Sequence, residues 1–256
     1  MSAAEMFEQY RAEFRARPIP GYTLDLFPDL CRHTAEDSGH EGHVGFANLS
    51  PDTAGGRIDE QIRHFERLGQ PFEWKVHDFD QPASLKSLLE ARGFGCGDAE
   101  AFLVAVLEEW PEADARPRNA RIERITDSKG IRDFIAVEEA VWQQAFPTHF
   151  ARYTRELHSA PDITSFYCAY VADQPVAAGR IFFPAGSSFA SLWSGSVLPT
   201  VRGCGIYSAL LAQRIAEAKS RGCRFVTVDA EPMSRPILLK KGFEHVCWTY
   251  PMRRRL

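Results

Sequence analysis

The chain has 256 residues, of which 45% are hydrophobic and 25% charged, as in an ordinary folded protein. Its formal net charge of −4 gives no reason to expect a nucleic acid or an anionic membrane as partner. No apolar run reaches the roughly 18 residues that span a bilayer. Because the N-terminus also lacks the apolar core of a secretory signal, we expect a cytoplasmic protein without a membrane partner.

The N-terminal half shows apolar patterns of alternating helical and strand period. Its first 17 residues predict a surface helix that turns Met6, Phe7, Tyr10 and Phe14 inward. The elements predicted after it are a strand over 44–48, a helix with Ile58, Ile62, Phe65 and Leu68 on one face, a strand over 72–76, a helix with Leu85, Leu88 and Leu89 that ends at Gly93-Phe94, and a strand over 101–106.

Cysteines and histidines raise the question of a metal site. The six cysteines contain no C-x-x-C pair, which predicts reduced thiols rather than a disulfide framework. Cys31, His33, His40 and His43 are close in sequence, but the polar segment 34–41 predicts a loop and the spacing fits no established zinc pattern. Surface histidines are the favoured interpretation and a metal site the alternative, so we expect no metal.

A segment rich in proline and charge divides the chain. Residues 111–119, PEADARPRN, predict a linker between a domain of residues 1–110 and a domain of residues 120–256. The elements predicted in the second domain are a strand over 121–125, a helix with Ile131, Phe134, Ile135, Val141 and Trp142, strands over 165–171, 176–183 and 190–198, a helix with Ile206, Leu210 and Ile215 on its buried face, a strand over 225–229, a helix over 234–241 and a strand over 246–250.

A turn with two glycines connects the strand over 190–198 to the helix that follows it. Its sequence is Arg202-Gly203-Cys204-Gly205-Ile206-Tyr207-Ser208. A strand that turns through glycines into a helix leaves several backbone N–H groups unpaired at the positive end of the helix dipole. Glycine carries no side chain that would keep an anion away from these groups. The turn therefore predicts a binding site for a pyrophosphate.

Two motifs give this region a family resemblance. Arg202-x-x-Gly205-x-Tyr207 resembles the acyl-CoA-binding loop of the GNAT N-acetyltransferases, Gln/Arg-x-x-Gly-x-Gly/Ala, and departs from it at Tyr207. The run 234–243, SRPILLKKGF, is similar to the family's next helix, which closes over the pantetheine arm and stops at Gly-Phe. The resemblance covers residues 120–252. It implies the GNAT fold, an α/β (α+β) fold whose central mixed, mostly antiparallel sheet is flanked by helices.

The N-terminal half repeats the order of elements found in the second half of the C-terminal domain. It also ends its second helix at a Gly-Phe, Gly93-Phe94. The phosphate loop is missing, because the corresponding segment 51–57 reads PDTAGGR, in which Asp52 would repel phosphates and the Gly-x-Gly spacing is lost. We therefore interpret residues 1–110 as a degenerate GNAT-like copy and the chain as a tandem GNAT protein.

A dinucleotide site is the alternative for the same turn. Gly203-x-Gly205-x-x-Ser208, with Asp229 at the end of the next strand, superficially matches a nicotinamide-binding unit. However, Ser208 replaces the third glycine, and too little chain follows for the remaining βαβ repeats. Three serines in the preceding strand are also unlike a strand buried on both faces. Acyl-CoA is therefore the favoured ligand.

The resemblance implies a reaction as well as a ligand. The family transfers an acyl group from a CoA thioester to an amine by direct attack in a ternary complex. We therefore expect an N-acetyltransferase that uses acetyl-CoA and the amine of a small molecule or peptide, as a monomer or homodimer. The alternative is a non-catalytic module that binds acyl-CoA as a sensor. The residues expected to bind the cofactor are Val197, Leu198, Arg202, Gly203, Cys204, Gly205, Ile206, Tyr207, Ser208 and Ser234.

Acyl transfer to an amine needs a base. An alkylamine with a pKa near 10 must lose a proton before it attacks, which at pH 7 costs about 4 kcal/mol. Glu231, just after the strand that ends at Asp229, is the expected catalytic base. Asp229, Glu138 and His245 are the alternatives, each with a surface or structural role as the competing interpretation.

The departing thiolate needs a proton and the thioester carbonyl needs polarising. The tyrosine that often acts as general acid in the family, four residues before the Gly of Gly-Phe, is replaced here by Leu238. Another group, such as Tyr207, or water must then protonate the thiolate. A backbone N–H near Val197 is expected to polarise the carbonyl as a single oxyanion donor.

Overall fold

The computed structural model describes residues 1–37, 40–110 and 119–254. Its helices are α1 (Ala3–Phe14), α2 (Ala54–Leu68), α3 (Leu85–Glu90), α4 (Ser128–Trp142), α5 (His149–Ser159), α6 (Ile206–Ser220) and α7 (Arg235–Lys240). Its strands are β1 (Tyr22–Leu26), β2 (Cys31–Ala35), β3 (Gly42–Gly45), β4 (Phe72–His77), β5 (Gly95–Cys96), β6 (Glu100–Val106), β7 (Arg121–Arg124), β8 (Thr164–Val171), β9 (Gln174–Phe182), β10 (Phe189–Val197), β11 (Phe225–Ala230) and β12 (Glu244–Arg254). Within the described ranges, no helix has the length and apolar content that crossing a bilayer requires.

The chain forms two compact units. The first comprises Met1–Val104 and Asp229–Leu256, and the second Ala105–Val228. This division differs from the predicted domains 1–110 and 120–256, because it groups the last strand with the N-terminal elements. The predicted boundaries rest on the sequence of the linker and on the family resemblance, which compactness does not test. The boundaries 1–110 and 120–256 therefore stay a prediction. The predicted linker 111–119 lies outside the described residues except for its last position.

In the first unit the strands follow the order β1-β2-β3-β4-β12-β6, and β5 also pairs with β12. The β3–β4 pair is parallel, and the pairs β1–β2, β2–β3, β4–β12, β5–β12 and β6–β12 are antiparallel. Helix α1 begins with a capping box in which Ser2 and Glu5 each bond the other's backbone N–H. The predicted inward face of α1 is confirmed, since Met6, Phe7, Tyr10 and Phe14 are all buried.

The core of the first unit is built largely on α2. Ile58 and Phe65 are fully buried, and the Phe65 ring stacks on Phe72 of β4 with centroids 4.3 Å apart. The prediction was wrong for Leu68, which is 53% exposed. Leu68 lies in the last turn of α2, where the chain leaves the helix through Gly69 in a left-handed conformation.

The sequence did not predict β1 and β2. Strand β2 reads CRHTA, and its polar residues Arg32 and His33 are buried. Arg32 donates to the Asp25 carboxylate and to the Gln61 side chain, so burial is compensated by hydrogen bonds rather than by apolar contact. The strand predicted over 44–48 is β3, which ends at Gly45.

In the second unit the strands follow the order β11-β10-β9-β8-β7. All pairs are antiparallel except β10–β11. Side chains alternate across β9: Ala178 belongs to the core under α4 and α5, whereas the backbone of Gly179 lies against Arg214 of α6. Helices α4 and α5 therefore cover one face of this sheet and α6 covers the other.

The predicted buried faces of the two long helices in the second unit are largely confirmed. Ile206, Leu210 and Ile215 of α6 are buried, as are Ile131, Phe134 and Ile135 of α4. Trp142 was predicted on the same face of α4, but it is 53% exposed. It is the last residue of the helix, followed by Gln143 in a left-handed conformation that redirects the chain.

Candidate functional site

The turn before α6 owes its shape to two glycines. Gly203 and Gly205 have φ angles of 79° and 78°, a left-handed conformation that glycine adopts without steric cost. A Cβ atom at either position would meet no other atom within 4 Å. The backbone conformation, rather than crowding, therefore calls for glycine, and the space beside the turn is open.

The turn presents unpaired backbone donors. None of the N–H groups of residues 203–208 donates to another residue in the described part of the chain. Gly205 is the N-cap of α6 and offers no side-chain cap, and the first helical hydrogen bond runs from Ala209 N–H to the Gly205 carbonyl at 3.0 Å. Several donors thus stand at the positive end of a 15-residue helix. This arrangement suits an anion with several oxygens, such as a pyrophosphate.

Strand β10, which leads into the turn, has an open edge. Its pairing with β11 ends at Ser191 and Thr227. The Leu198 N–H donates to the Val176 carbonyl of the neighbouring segment. Hydrogen-bonded and non-hydrogen-bonded pairs alternate along antiparallel strands, so the adjacent pair, Val197 with Ala177, is not hydrogen-bonded. The N–H and carbonyl of Val197 therefore point away from β9. That edge can take another extended chain with amide groups.

Arg202 joins the turn to the end of β10. Its Nε atom donates to the Val197 carbonyl oxygen at 3.1 Å, on the open edge of the strand. The Nε edge of the guanidinium is thereby held close to the turn. This hydrogen bond sets the orientation of the Arg202 side chain.

Tyr207, where the loop pattern has a small residue, turns its side chain toward β10. A Cβ placed on Gly195 would lie 3.5 Å from Tyr207 Cε2 and 4.0 Å from its hydroxyl oxygen. Burial raises the pKa of the Tyr207 hydroxyl, and the nearby Arg214 guanidinium partly offsets this. The bulky ring is therefore accommodated by a glycine in the neighbouring strand rather than in the space beside the turn.

Gly195 belongs to a β-bulge in β10. The register passes from Trp193 opposite Arg180 to Ser196 opposite Ala178, so two residues of β10 face the single residue Gly179 of β9. Ser194 has a φ of 54°, a left-handed conformation that is uncommon outside glycine. The bulge was not predicted, although an isolated glycine within a strand pattern, such as Gly195, is a signal for one.

In the first unit, Glu231 follows the end of β11 as an exposed residue. Its carboxylate has no hydrogen-bond partner among the described residues. Partial desolvation, followed by the neighbouring carboxylates of Glu100 and Asp98, raises the pKa of Glu231. A carboxyl with a raised pKa and free oxygens has the chemistry of a proton acceptor.

Ser234 and Leu238 lie at α7. The Ser234 hydroxyl donates to the Glu231 carbonyl at 3.2 Å and makes no cap to the helix, although Ser234 is the N-cap residue. Leu238, in place of the family's tyrosine, is completely buried. Position 238 therefore supplies no proton donor, as the sequence indicated.

The alternative bases differ in their surroundings. Asp229 accepts from Lys75 Nζ at 2.9 Å and from the Thr249 hydroxyl at 3.3 Å. Burial alone would raise the pKa of Asp229, but Lys75 outweighs it and the pKa is lowered. A carboxylate held this way is a structural anion and a poor base.

Two further alternatives have different neighbours. Glu138 is buried in the second unit, with its Oε2 atom 3.4 Å from His149 Nδ1 in an ion-pair contact that lacks hydrogen-bond geometry. His245 is exposed and its ring lies 5.1 Å from Trp248. Glu138 is a buried carboxylate held against His149, and His245 has no carboxylate, so neither offers the exposed carboxylate that Glu231 has.

The residues considered for a metal site have other partners. His33 is buried in β2 and bonds the Arg17 carbonyl through Nε2 at 3.0 Å, and burial lowers its pKa to about 4. The Cys31 thiol contacts the Gly45 carbonyl, and His40 contacts the Asp37 carboxylate. In the ranges that the structure covers, no group of three or more His, Cys, Asp or Glu side chains is arranged to hold a metal ion. His33 is thus a core residue, contrary to the favoured interpretation as a surface histidine.

Known proteins resemble this chain in sequence over part of its length and in structure over nearly all of it. Residues 131–243 match the family model described as Acetyltransferase (GNAT) family. A GCN5-related N-acetyltransferase from Kribbella flavida is 12% identical with a TM-score of 0.72, the match covering 99% of this chain and 95% of that one. A GCN5-related N-acetyltransferase from Sphaerobacter thermophilus is 16% identical with a TM-score of 0.64, covering 91% and 82% of the respective chains.

A third solved structure bears on the duplication. A tandem GNAT protein from the clavulanic acid biosynthesis pathway is 13% identical with a TM-score of 0.62, the match covering 99% of this chain and 96% of that one. At such identities the likeness shows the fold, and it confirms the predicted GNAT fold class. Among the curated proteins, none matches this sequence.

Proposed function

Since the chain contains a domain of the acetyltransferase (GNAT) family over residues 131–243, we propose that it is an acyl-CoA-dependent N-acyltransferase. It transfers acetyl from acetyl-CoA to the amine of a small molecule or peptide by direct attack in a ternary complex. The observation that carries the proposal is the uncapped turn at residues 203–208, whose N–H groups are unpaired at the start of α6 in the described structure.

The turn would hold the pyrophosphate of the cofactor. N–H groups of Gly203, Cys204, Gly205, Ile206, Tyr207 and Ser208 donate to its oxygens, and the dipole of α6 adds to the attraction. Arg202 supplies positive charge beside them while its Nε stays bonded to the strand. The Tyr207 ring, directed at Gly195, leaves the phosphate side of the turn clear.

The open edge of β10 would receive the pantetheine arm. The arm carries amides and pairs with an exposed strand edge much as a peptide does, which places it along Val197 and Leu198. The outward Val197 N–H then donates to the thioester oxygen, where negative charge develops during attack. Ser234 is proposed to contact the same arm.

Glu231 would act as the base. Its carboxylate takes a proton from the acceptor ammonium, the nitrogen lone pair attacks the thioester carbon, and the C–S bond breaks as the carbonyl reforms. The thiolate takes a proton from the Tyr207 hydroxyl or from water, and the second proton leaves the nitrogen of the new amide and restores that donor. Glu231 returns its proton to solvent. The raised pKa of Glu231 brings it closer to the range in which a base works well near neutral pH.

Thiol release from acetyl-CoA in the presence of a panel of amines tests the function. The panel spans alkylamines, amino sugars and peptides with free amino groups, and includes alcohols to detect O-acyl transfer. We expect thiol release that requires an amine and yields an equal amount of amide product.

Binding without turnover is the competing outcome. The buried Leu238 in place of a catalytic tyrosine is the observation that favours it. Saturable binding of acetyl-CoA with no thiol release across the whole panel would replace the transferase by an acyl-CoA sensor. Absence of binding would contradict both.

A further inference from the structure

Arg214 is a fully buried cation in the second unit. It lies on α6 at 1% exposure, among the largest completely buried side chains. Its Nε atom donates to the Leu210 carbonyl of its own helix at 3.3 Å. Its Nη1 atom donates to the Arg180 carbonyl of β9 at 3.3 Å and to the Trp193 carbonyl of β10 at 3.5 Å. The guanidinium therefore bridges the two strands.

Two glycines make room for this side chain. A Cβ on Gly179 would lie 2.9 Å from both Cζ and Nη1 of Arg214, closer than real contacts allow. A Cβ on Gly195 would lie 3.8 Å from Nη2. Gly179 and Gly195 are residues of the bulge on β9 and β10, so the guanidinium occupies the place where the register breaks.

The charge of Arg214 has no ionic counterpart. Within the described ranges no carboxylate lies within 4 Å of its guanidinium, and burial lowers its pKa, with Tyr207 and Tyr167 partly opposing this. A buried charge without a counterion costs free energy, and an apolar side chain of similar length would fill the same space. Its presence there needs an explanation other than packing.

The bulge supplies that explanation. Ser194 adopts a left-handed conformation that persists only where the surroundings over-determine it. Arg214 donates to both strands next to Ser194, at the step where the β9–β10 register changes. The bulge in turn sets which way the next residues of β10, Ser196 and Val197, present their N–H and carbonyl groups.

We propose that Arg214 is a positioning residue for acyl transfer: packed against Gly179, it fixes the β10 bulge and thereby the strand edge at Val197 that receives the acyl-CoA arm. This inference rests on the proposed function, since that edge matters for catalysis only if acetyl-CoA binds along it. Arg214 touches neither substrate nor phosphate in this scheme. Its loss should therefore impair turnover more than it impairs binding of the nucleotide part.

A double-mutant cycle of Arg214→Met and Gly179→Ala tests the proposal. Arg214→Met removes the hydrogen bonds to both strands, and Gly179→Ala displaces the guanidinium from its position against residue 179. Each should lower kcat on the order of 10²-fold, because a misplacement of about 1 Å has that effect. The Kd for acetyl-CoA should change far less, since the N–H groups of the turn are untouched. Gly179→Ala should add little in the Arg214→Met background, because the clash is then gone.

Three further measurements separate positioning from general damage. Arg214→Lys, which keeps the charge and one bond, should recover part of kcat. Arg221→Met at the end of α6 is the matched control and should leave kcat unchanged. Amide hydrogen exchange at residues 193–197 should accelerate in Arg214→Met and Gly179→Ala while the rest of the second unit stays protected.

The results for these variants distinguish a positioning role of Arg214 from a fold defect and from a wrong assignment of the cofactor. Unchanged kcat in Arg214→Met, or losses that multiply in the double variant, would overturn the positioning role. A parallel loss of kcat, acetyl-CoA affinity and thermal stability in both Arg214→Met and Arg214→Lys would also overturn it in favour of a fold defect. A wild-type protein that binds no acetyl-CoA would overturn the proposed function instead, and local exchange would then still report whether Arg214 holds the bulge.

Discussion

Gly203 and Gly205 account for most of the chemistry assigned to the turn. Their left-handed φ angles keep the N–H groups of residues 203–208 from folding back into local hydrogen bonds. Any residue with a Cβ strains such a backbone, even where space is available. Tyr207 is tolerated in the same turn because its own conformation is helical and its ring lies against Gly195.

Gly205→Asp and Gly205→Asn form a matched pair for the anion site. Both side chains have nearly the same shape, and both residue types accept a left-handed conformation better than other non-glycine residues. They differ by one negative charge, and two unit charges about 4 Å apart near a protein surface repel by about 4 kcal/mol. We expect Gly205→Asp to bind acetyl-CoA roughly a thousandfold more weakly than Gly205→Asn in calorimetric titrations. Equal affinities would argue against phosphates at this turn.

Glu231→Gln tests the base. The carboxylate acts only when ionised, so kcat should fall as the pH is lowered through the pKa of Glu231, which partial desolvation and Glu100 hold above its usual range. Removal of the base should lower kcat by at least about 10²-fold with little change in KM, and should abolish the acidic limb of the pH–rate profile. Glu244→Gln, an exposed carboxylate at the start of β12, is the control. An unaltered profile in Glu231→Gln would remove it as the base.

The long helices were predictable because their apolar residues recur at helical spacing. The inward residues of α1, α4 and α6 follow from that period, and so does the position of the turn before α6. Strand β2 was not predictable in this way, since its buried residues are polar and depend on partners such as Gln61, 29 positions away from Arg32. The isolated Gly195 is a local signal for a bulge in β10, but the register with β9 that defines the bulge depends on residues distant in sequence.

Two glycine-to-alanine substitutions should have opposite effects on stability. A Cβ on Gly42 of β3 would lie 2.1 Å from Phe65 Cε1. The Phe65 ring is fully buried and stacked on Phe72, so it cannot move away without disturbing the core. Gly42→Ala should therefore lower the free energy of unfolding by about 1–3 kcal/mol.

Gly56 in α2 provides the control. A Cβ there meets nothing within 4 Å, so Gly56→Ala should raise the free energy of unfolding by about 0.5–1 kcal/mol through its better helix propensity. Urea denaturation of both variants measures the two shifts. A neutral Gly42→Ala would mean that β3 and α2 do not pack as described.

Each compact unit has its own hydrophobic core, but only one has a turn of the anion-binding kind in the described residues. In the first unit the corresponding segment 51–57 enters α2 with Gly55 and Gly56 already helical, and Arg57 is paired with Asp29 and Glu60. This agrees with the interpretation of the N-terminal half as a copy that kept its packing and lost its phosphate loop. We therefore expect one cofactor per chain, with its pyrophosphate at the turn of the second unit.

Parallel titrations of the wild-type protein with acetyl-CoA and with S-acetylpantetheine show whether the turn before α6 binds the pyrophosphate. The second compound keeps the thioester and the amides but lacks the pyrophosphate. We expect saturable binding of one acetyl-CoA per chain and much weaker binding of S-acetylpantetheine. Failure of acetyl-CoA to bind at millimolar concentration, or equal affinity for the two compounds, would contradict it.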